Sequence, residues 1–166
     1  MKILGIDPGL RHTGWGIVSF HQGRLSHVAH GTISPKAKLD MAERLLVIQE
    51  SLYRVIQEFA PEQAAIEEIF VNKNPASTLK LGMARGVAFV VPAKQNIPVT
   101  EYATNLVKKS LVGTGHASKE QIKMMVGTLL PGNQIDSEDA ADALAVAICH
   151  AHHYTPSAHY AQGASK

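Results

Sequence analysis

The sequence predicts an α/β fold with a five-stranded mixed sheet flanked by helices, and three observations support this prediction. The unbroken apolar run from Ile3 to Ile6 ends at Asp7 and is typical of a central strand that is buried on both faces. Two further strand-like segments are joined by the turn signal Gln22-Gly23, which indicates an antiparallel hairpin. A helical pattern then precedes the apolar segment 64–67, which predicts a crossover to a strand parallel to the first.

Each predicted element has a recognisable start or end. Asp40 and Glu43 match a capping box, and Pro61 ends the helix that follows them. Asn74 is a helix cap before Pro75, which is a proline at the first helical position. We predict helices from Asp40 to before Pro61, from Pro75 to about Val91, from Lys119 to Leu130 and from Ser137 to about His153, and strands at 3–6, 15–20, 25–33, 64–67 and 98–100.

Composition narrows the class of protein. The net charge of +2 permits a polyanionic partner without demanding one. A single cysteine, Cys149, excludes a disulfide framework and a cysteine-rich zinc module, and it fits a reducing, intracellular setting. No signal peptide is recognisable, and no apolar stretch reaches the ~18 residues of a membrane span. We therefore predict one domain over residues 1–153, followed by a flexible tail over residues 154–166.

Acidic side chains end two of the predicted strands. Asp7 directly follows the first strand, and Glu67 ends the segment Ala65-Ile66-Glu67. Because adjacent strand residues face opposite sides, only one of Glu67 and Glu68 lies on the same face as Asp7. For Glu68 a solvated strand end is the preferred interpretation. An aspartate before Pro-Gly is also common in turns, so Asp7 taken alone has an ordinary structural explanation.

Two more carboxylates lie on the last predicted helix. Asp139 falls in the first turn, where an acid complements the helix dipole whether or not it has a function. Asp142 lies in a stretch that is apolar on every side, so we expect it to be buried and to need a partner. The two share one helix face. Together with Asp7 and Glu67 they form an all-oxygen set that suits two hard cations in phosphoryl transfer.

The full series of motifs resembles one protein family. The motifs are Gly5-Ile6-Asp7-Pro8-Gly9, Thr13-Gly14-Trp15-Gly16, Ala65-Ile66-Glu67, Leu79-Lys80-Leu81-Gly82, Ala84-Arg85-Gly86-Val87 and Asp139-Ala140-Ala141-Asp142-Ala143-Leu144-Ala145. In this order they closely resemble the RuvC-type Holliday junction resolvases of bacteria, from Met1 to about His153. The resemblance implies an RNase H-like (integrase-like) fold.

The resemblance also implies an activity and a site. A homodimer of such a nuclease cuts two strands of like polarity at a four-way DNA junction during recombination and repair. The catalytic and metal-binding acids of the family fall on Asp7, Glu67, Asp139 and Asp142, with two Mg²⁺ ions for which Mn²⁺ substitutes. The resemblance further implies a cytoplasmic location in a bacterium, no contact with a membrane and a partnership with the branch-migration proteins RuvA and RuvB.

Several DNA-contacting residues follow from the same resemblance. Phe70 matches an aromatic that stacks on an unpaired base near the junction centre, although a place in the core is the ordinary interpretation of a phenylalanine. Lys108 and Lys119 match lysines that face DNA near the scissile phosphate, and Lys73 and Lys80 flank Phe70. For each of these lysines, a solvated surface charge is the alternative interpretation.

The helix that starts at Pro75 carries candidates for a dimer contact. Gly82 and Gly86 are four residues apart, and a glycine in a helix interior costs ~1 kcal/mol relative to alanine. Close approach of another backbone is the expected reason, either within the domain or, as the resemblance favours, across a two-fold axis. The predicted contact residues are Leu79, Gly82, Met83, Gly86, Val87 and Val90.

Three other interpretations compete with the nuclease. Actin-like and sugar-kinase-like ATPases also begin with a strand that ends in an aspartate followed by glycines, but 166 residues leave no room for their second domain. A junction-binding module without catalysis would not depend on Asp7. The YqgF-like RNA nucleases share the fold, but the later motifs argue against them. Cutting of a synthetic four-way junction distinguishes the resolvase from the ATPase and from the binding module.

Overall fold

A five-stranded mixed sheet forms the centre of the molecule. The structure is a computed structural model, and it describes residues 1–68 and 74–154. The strands are β1 (Lys2–Asp7), β2 (Thr13–His21), β3 (Arg24–Ile33), β4 (Gln63–Glu67) and β5 (Val99–Tyr102). They lie in the order β3-β2-β1-β4-β5, with β2 antiparallel to both of its neighbours and β4 parallel to both of its own. The first strand along the chain is therefore the middle strand of the sheet.

Helices cover both faces of this sheet. They are α1 (Met41–Phe59), α2 (Pro75–Lys94), α3 (Thr104–Val112), α4 (Lys119–Leu129) and α5 (Glu138–His153). Leu4 and Ile6 pack into the apolar core beneath α1 and α2, whereas Ile3 and Ala65 pack beneath α3, α4 and α5. None of these helices combines the length and the apolar character that a membrane crossing needs. The predicted α/β architecture is confirmed.

The predicted helix starts are also observed. Asp40 accepts a hydrogen bond from the backbone N–H of Glu43 at 2.8 Å, and the Glu43 side chain accepts one from the N–H of Asp40 at 2.9 Å, so the capping box is complete. The side chain of Asn74 accepts hydrogen bonds from the backbone N–H groups of Ala76 and Ser77. Local side-chain chemistry thus sets where α1 and α2 begin.

The structure contains one helix that was not predicted, and several element boundaries are shifted from the prediction. Helix α3 was not predicted, and its N-cap Ala103 makes no side-chain cap hydrogen bond. Helix α2 runs through Pro92 to Lys94 instead of ending near Val91, because the carbonyl of Pro92 accepts hydrogen bonds from residues 95 and 97 and closes the last turn. Strand β5 spans Val99–Tyr102 rather than residues 98–100. Of the predicted tail, only Tyr154 is among the described residues.

Candidate active site

The carboxyl-terminal ends of β1 and β4 bring Asp7 and Glu67 to one edge of the sheet. The two strands are parallel neighbours, with Gly5 paired to Ala65. Ile3 and Ala65 face the core beneath α5. Because side chains alternate along a strand, Asp7 and Glu67 face α5 as well.

Glu68 lies apart from this pair. It is exposed, and its backbone N–H donates a 2.8 Å hydrogen bond to the carbonyl of Tyr102 just beyond the end of β4. Glu67 is half-buried and contributes to the negative potential at Asp7. This placement supports the choice of Glu67 over Glu68 as the site residue.

Two glycines allow α5 to lie directly against the sheet. A Cβ atom on Gly5 would lie 1.9 Å from the carbonyl oxygen of Ala143, and a Cβ atom on Gly14 would lie 1.9 Å from the carbonyl oxygen of Asp139. Both distances are far inside van der Waals contact, so any side chain at either position would push the helix away. The glycines therefore set how closely the helix that carries Asp139 and Asp142 approaches β1.

The start of α5 is also held by the edge strand β3. Ser137 is its N-cap and accepts a hydrogen bond from the N–H of Ala140 at 3.3 Å. The Ser137 hydroxyl also lies 2.7 Å from the hydroxyl of Thr32 on β3. These contacts fix the first turn of the helix, where Asp139 lies, and Asp142 follows almost one turn later.

Burial and three neighbouring acids raise the pKa of Asp7 to about 8. Removal of the carboxylate from water is the largest cause, and the negative charges of Asp142, Glu67 and Asp139 follow in that order. The positive charge of Lys119 acts in the opposite direction. The structure thus brings the four predicted acids into one electrostatic group.

Asp142 is the second acid with an altered proton affinity. Burial is the main reason that its pKa rises to about 6, while the charge of Lys119 opposes the rise. The Asp142 side chain keeps 29% exposure although Ala141 and Ala143 beside it are buried. The Nζ of Lys119 lies 3.9 Å from a carboxylate oxygen of Asp142 and 3.7 Å from one of Glu138. Lys119 is therefore part of the site.

The chemistry of this donor set fits a hard divalent cation. All four groups are carboxylates, and Mg²⁺ and Mn²⁺ prefer oxygen ligands. A cation among them would offset the repulsion that helps to keep Asp7 protonated. Across residues 1–68 and 74–154, no three acidic, histidine or cysteine side chains form a ready-made cage for an ion. The fit rests on donor type and on the shared negative potential.

The predicted DNA contacts are distributed unevenly around the acids. Lys119 lies within the site, and Lys80 lines a cleft next to it. Lys108 is half-buried on α3, a helix of the same layer as α5. Phe70 and Lys73 lie outside the described residues, so their roles stay predictions.

The cleft beside the acids has a volume of about 640 Å³ and Asp139 at its edge. Its polar walls come from the β1–β2 loop and from the first turns of α1 and α2, and they comprise Arg11, His12, Arg44, Ser77 and Lys80. Sequence reasoning identified only Lys80 among these five residues. For Arg11 and His12 the available signal was a basic pair close behind the Asp7-Pro8-Gly9 turn.

Sequence reasoning assigned no role to Arg85, although it lies in the motif Ala84-Arg85-Gly86-Val87. Its guanidinium donates a hydrogen bond to the backbone carbonyl of Glu67 and forms an ion pair with Glu101 on β5. It also lies 5.0 Å from the ring centre of Phe89. A second signal in the sequence is its charge within the otherwise uncharged segment 81–93.

One side of α2 is apolar and exposed. Leu79 is 64% exposed, Val90 53% and Met83 38%. A Cβ atom on Gly82 or Gly86 would meet nothing within 4 Å. Packing against the described residues 1–68 and 74–154 therefore does not explain these two glycines.

Comparison with protein families identifies relatives of this chain. The sequence profile of the family described as "Crossover junction endodeoxyribonuclease RuvC" matches residues 3–150. A protein of that description from Paramagnetospirillum magneticum is 62% identical over 153 residues, which cover 92% of each chain. Another from Bartonella quintana is 53% identical over 162 residues, which cover 98% of this chain and 96% of the relative.

Solved structures show the same likeness. The RuvC protein of Thermus thermophilus in complex with a Holliday junction substrate matches with a TM-score of 0.85 and 32% identity, covering 91% of this chain and 93% of that one. The yeast mitochondrial Holliday junction resolvase Ydc2 matches with a TM-score of 0.64 and 14% identity, covering 90% of this chain and 78% of that one. The second match shows a shared fold alone. The expected RNase H-like fold is confirmed.

Proposed function

Because the chain belongs to the RuvC family of crossover junction endodeoxyribonucleases, it is an endonuclease that resolves Holliday junctions, and we propose that carboxylates on β1, β4 and α5 form its catalytic centre. The observation that carries this assignment is geometric: Asp7 and Glu67 end adjacent parallel strands on the face that packs against α5, the helix that carries Asp139 and Asp142. The proposed catalytic residues are Asp7, Glu67, Asp139 and Asp142. Family membership also decides against the ATPase, the inactive binding module and the RNA nuclease.

The nucleases of this family depend on a metal, and we propose two Mg²⁺ ions per centre, with Mn²⁺ as a substitute. When bound, such a pair activates the attacking water and stabilises the oxygen that leaves the phosphodiester. Asp7 and Glu67 would hold the ions from the sheet, and Asp139 and Asp142 would hold them from the helix. The all-oxygen donor set supports this proposal.

The chain's own residues control charge at this centre. Asp7 must lose its proton before it can act as a ligand, so its high pKa couples metal binding to proton release. Lys119 places a positive charge beside Asp142, and its side chain is 70% exposed, which leaves it free to approach a phosphate of the DNA. We assign DNA contacts to Lys80, Lys108 and Lys119.

Cutting two strands of like polarity requires two centres related by a two-fold axis. We place the dimer contact on the exposed apolar side of α2. The exposed residues of this side and its two glycines support that choice. Val87, which is half-buried and packs partly into the core beneath α1 and α2, contributes its remaining surface.

Family membership also supports two statements about the setting of the enzyme. We propose that the dimer works with the branch-migration proteins RuvA and RuvB. We also propose that it acts in the bacterial cytoplasm, because its relatives are bacterial and a junction resolvase must reach chromosomal DNA.

A nicking assay tests the proposed function. Wild-type protein with Mg²⁺ should nick mobile and fixed four-way junctions symmetrically and leave a linear duplex of the same sequence intact, and a chelator should abolish nicking. Asp142→Asn should reduce the nicking rate by about a hundredfold or more and retain junction binding, because it removes a ligand and leaves the fold. Nicking of linear duplex at the same rate, or wild-type activity of Asp142→Asn, would contradict the proposal.

A further inference from the structure

The cleft beside Asp139 carries the charge that a phosphate needs. Arg11, Arg44 and Lys80 contribute three permanent positive charges to its walls, and Asp139 contributes one negative charge. The cleft is therefore net positive although it adjoins a group of four acids. A positive patch of this kind attracts and orients a polyanion.

The loop that forms one wall of the cleft is held rigidly. The Thr13 hydroxyl, which is fully buried, donates a 2.6 Å hydrogen bond to the carbonyl of Gly9 and accepts one from its N–H at 3.3 Å. An Arg44 Nη donates a 2.8 Å hydrogen bond to the carbonyl of Leu10. The exposed Arg11 thus extends from a fixed backbone, which lowers the entropic cost of binding a ligand there.

Each of the two site acids on α5, Asp139 and Asp142, has cationic residues nearby. Asp139 borders the cleft, whereas Asp142 lies 3.9 Å from Lys119 on α4. A DNA strand whose reacting phosphate lies at the acids would therefore find cations at both positions along the helix. Lys119 accounts for the contact near Asp142. In the cleft only Lys80 has an assigned DNA contact, and the roles of Arg11 and Arg44 are still open.

We propose that this cleft is a subsite for a backbone phosphate adjacent to the phosphodiester that is cut, with Arg11 and Lys80 as its contacting cations. Arg44 is a positioning residue, because its hydrogen bond to Leu10 fixes the loop. The inference rests on the proposed function, since the ligand is part of the DNA substrate. Contacts to phosphate carry no base information, so the subsite fixes the register of the strand and not the sequence preference.

Salt dependence of junction binding tests the subsite. Binding of a synthetic four-way junction is measured between 50 and 200 mM salt, with a chelator present so that the DNA is not cut. The proteins compared are the wild type, Arg11→Gln, Lys80→Gln and the double variant. Each lost phosphate contact should lower the slope of log K against log salt by about 0.9. Over that fourfold range the wild type should lose about twelvefold more affinity than the double variant, which follows from a slope difference of about 1.8.

Arg24→Gln is the matched control. Arg24 is exposed and begins β3 at the end of the sheet opposite Asp7, so its loss should leave the slope unchanged. Neutral methylphosphonates placed singly along the cut strand supply a test that needs no protein variant. A methylphosphonate at one position near the cut should weaken junction binding by the wild type. It should leave binding by Arg11→Gln unchanged, because the contact is already absent in that variant.

The proposed subsite would be wrong if both single variants kept the wild-type slope of log K against log salt. It would also be wrong if no methylphosphonate position distinguished Arg11→Gln from the wild type. The measurement does not require cutting and is therefore independent of the nicking assay. A protein that binds with the expected slopes but never nicks a junction supports the subsite and refutes the proposed catalysis. A protein that nicks normally with unchanged slopes refutes only the subsite.

Discussion

Arg85 on α2 donates a hydrogen bond to the backbone carbonyl of Glu67 at the end of β4. Its second contact, an ion pair with Glu101, anchors it to β5, and only 17% of its side chain is exposed. The helix whose apolar side we assign to the dimer is thereby tied to the strand that carries the proposed catalytic residue Glu67. We assign Arg85 a positioning role, because it contacts the proposed metal site only through the backbone of Glu67.

Arg85→Ala should lower the single-turnover cutting rate about tenfold to a hundredfold, raise the Mg²⁺ concentration required and leave junction affinity unchanged. Arg85→Lys should recover only part of the rate, because an ammonium group lacks the planar fork that serves both partners. Arg54→Ala is the control, since Arg54 forms an ion pair with Glu50 in which both side chains are exposed. A variant that melts earlier but cuts at the wild-type rate with an unchanged Mg²⁺ requirement would assign Arg85 to stability alone.

Glu67→Gln and Glu68→Gln form a matched pair of neighbours with opposite expected outcomes. Glu67→Gln should abolish cutting and retain junction binding, because its side chain faces the acids on α5. Glu68→Gln should keep most of the activity, because its side chain is exposed beyond the end of β4. Parallel measurement of nicking and binding for both variants decides the matter, and an equal loss of cutting would refute the assignment by strand alternation.

Gly14→Ala should destabilise the fold by about 1–3 kcal/mol and reduce cutting, because the new methyl group would collide with the carbonyl of Asp139 and displace α5. Gly127→Ala is the control within a helix. Its methyl group would meet nothing within 4 Å, so it should stabilise α4 by up to ~1 kcal/mol without a change in cutting. Denaturant melts and nicking rates test both variants. A neutral Gly14→Ala would show that α5 is free to shift.

Leu79→Glu should dissociate the dimer into folded monomers, whose melting temperature no longer depends on protein concentration. Met124→Glu on α4 has nearly the same starting exposure, 65% against 64%, and should leave the dimer intact. Sedimentation velocity measures the state of both variants, and the junction assay should show single nicks in place of paired nicks for Leu79→Glu. A dimeric Leu79→Glu would move the interface away from this side of α2.

Without metal, Asp7→Asn should be more stable than the wild type, and this difference in stability should increase as pH rises from about 4 to 8. The folded protein binds a proton at Asp7 up to a pKa of about 8, whereas the unfolded chain releases it near 3.8, so the wild type loses stability across that window. At pH 8 the variant should melt at least about 2 °C higher. Saturating Mg²⁺ should favour the wild type instead, because only its site retains all four carboxylates. A difference in melting temperature that does not vary with pH would refute the assigned pKa.

Short-range patterns predicted much of this protein. The apolar run before Asp7 marked the central strand, strand alternation distinguished Glu67 from Glu68, and the Asp40 and Asn74 caps located two helix starts. Each of these features depends on residues close together in sequence. They can therefore be recognised without knowledge of the tertiary structure.

Long-range contacts were the part that sequence patterns did not reveal. Arg85 contacts Glu67 from eighteen positions away in the chain, and Arg44 contacts Leu10 across thirty-four. No local spacing signals such pairs. Glycine in a strand interior indicates close approach of another backbone, so the sequence predicts such a contact at Gly14. Only the structure shows that the contacting group is the carbonyl of Asp139. Helix α3 was missed because Ala103 provides no capping side chain.

The order of elements along the chain has a consequence for biosynthesis. Strand β1 occupies the middle of the sheet, yet α5, which covers it and supplies the other half of the acids, is the last element of the described chain. A growing polypeptide on the ribosome carries Asp7 and Glu67 long before Asp142 has been made. The proposed nuclease centre is thus complete only after α5 has been synthesised. A chain truncated before α5 should therefore be unable to cut nucleic acid, even if its sheet has formed.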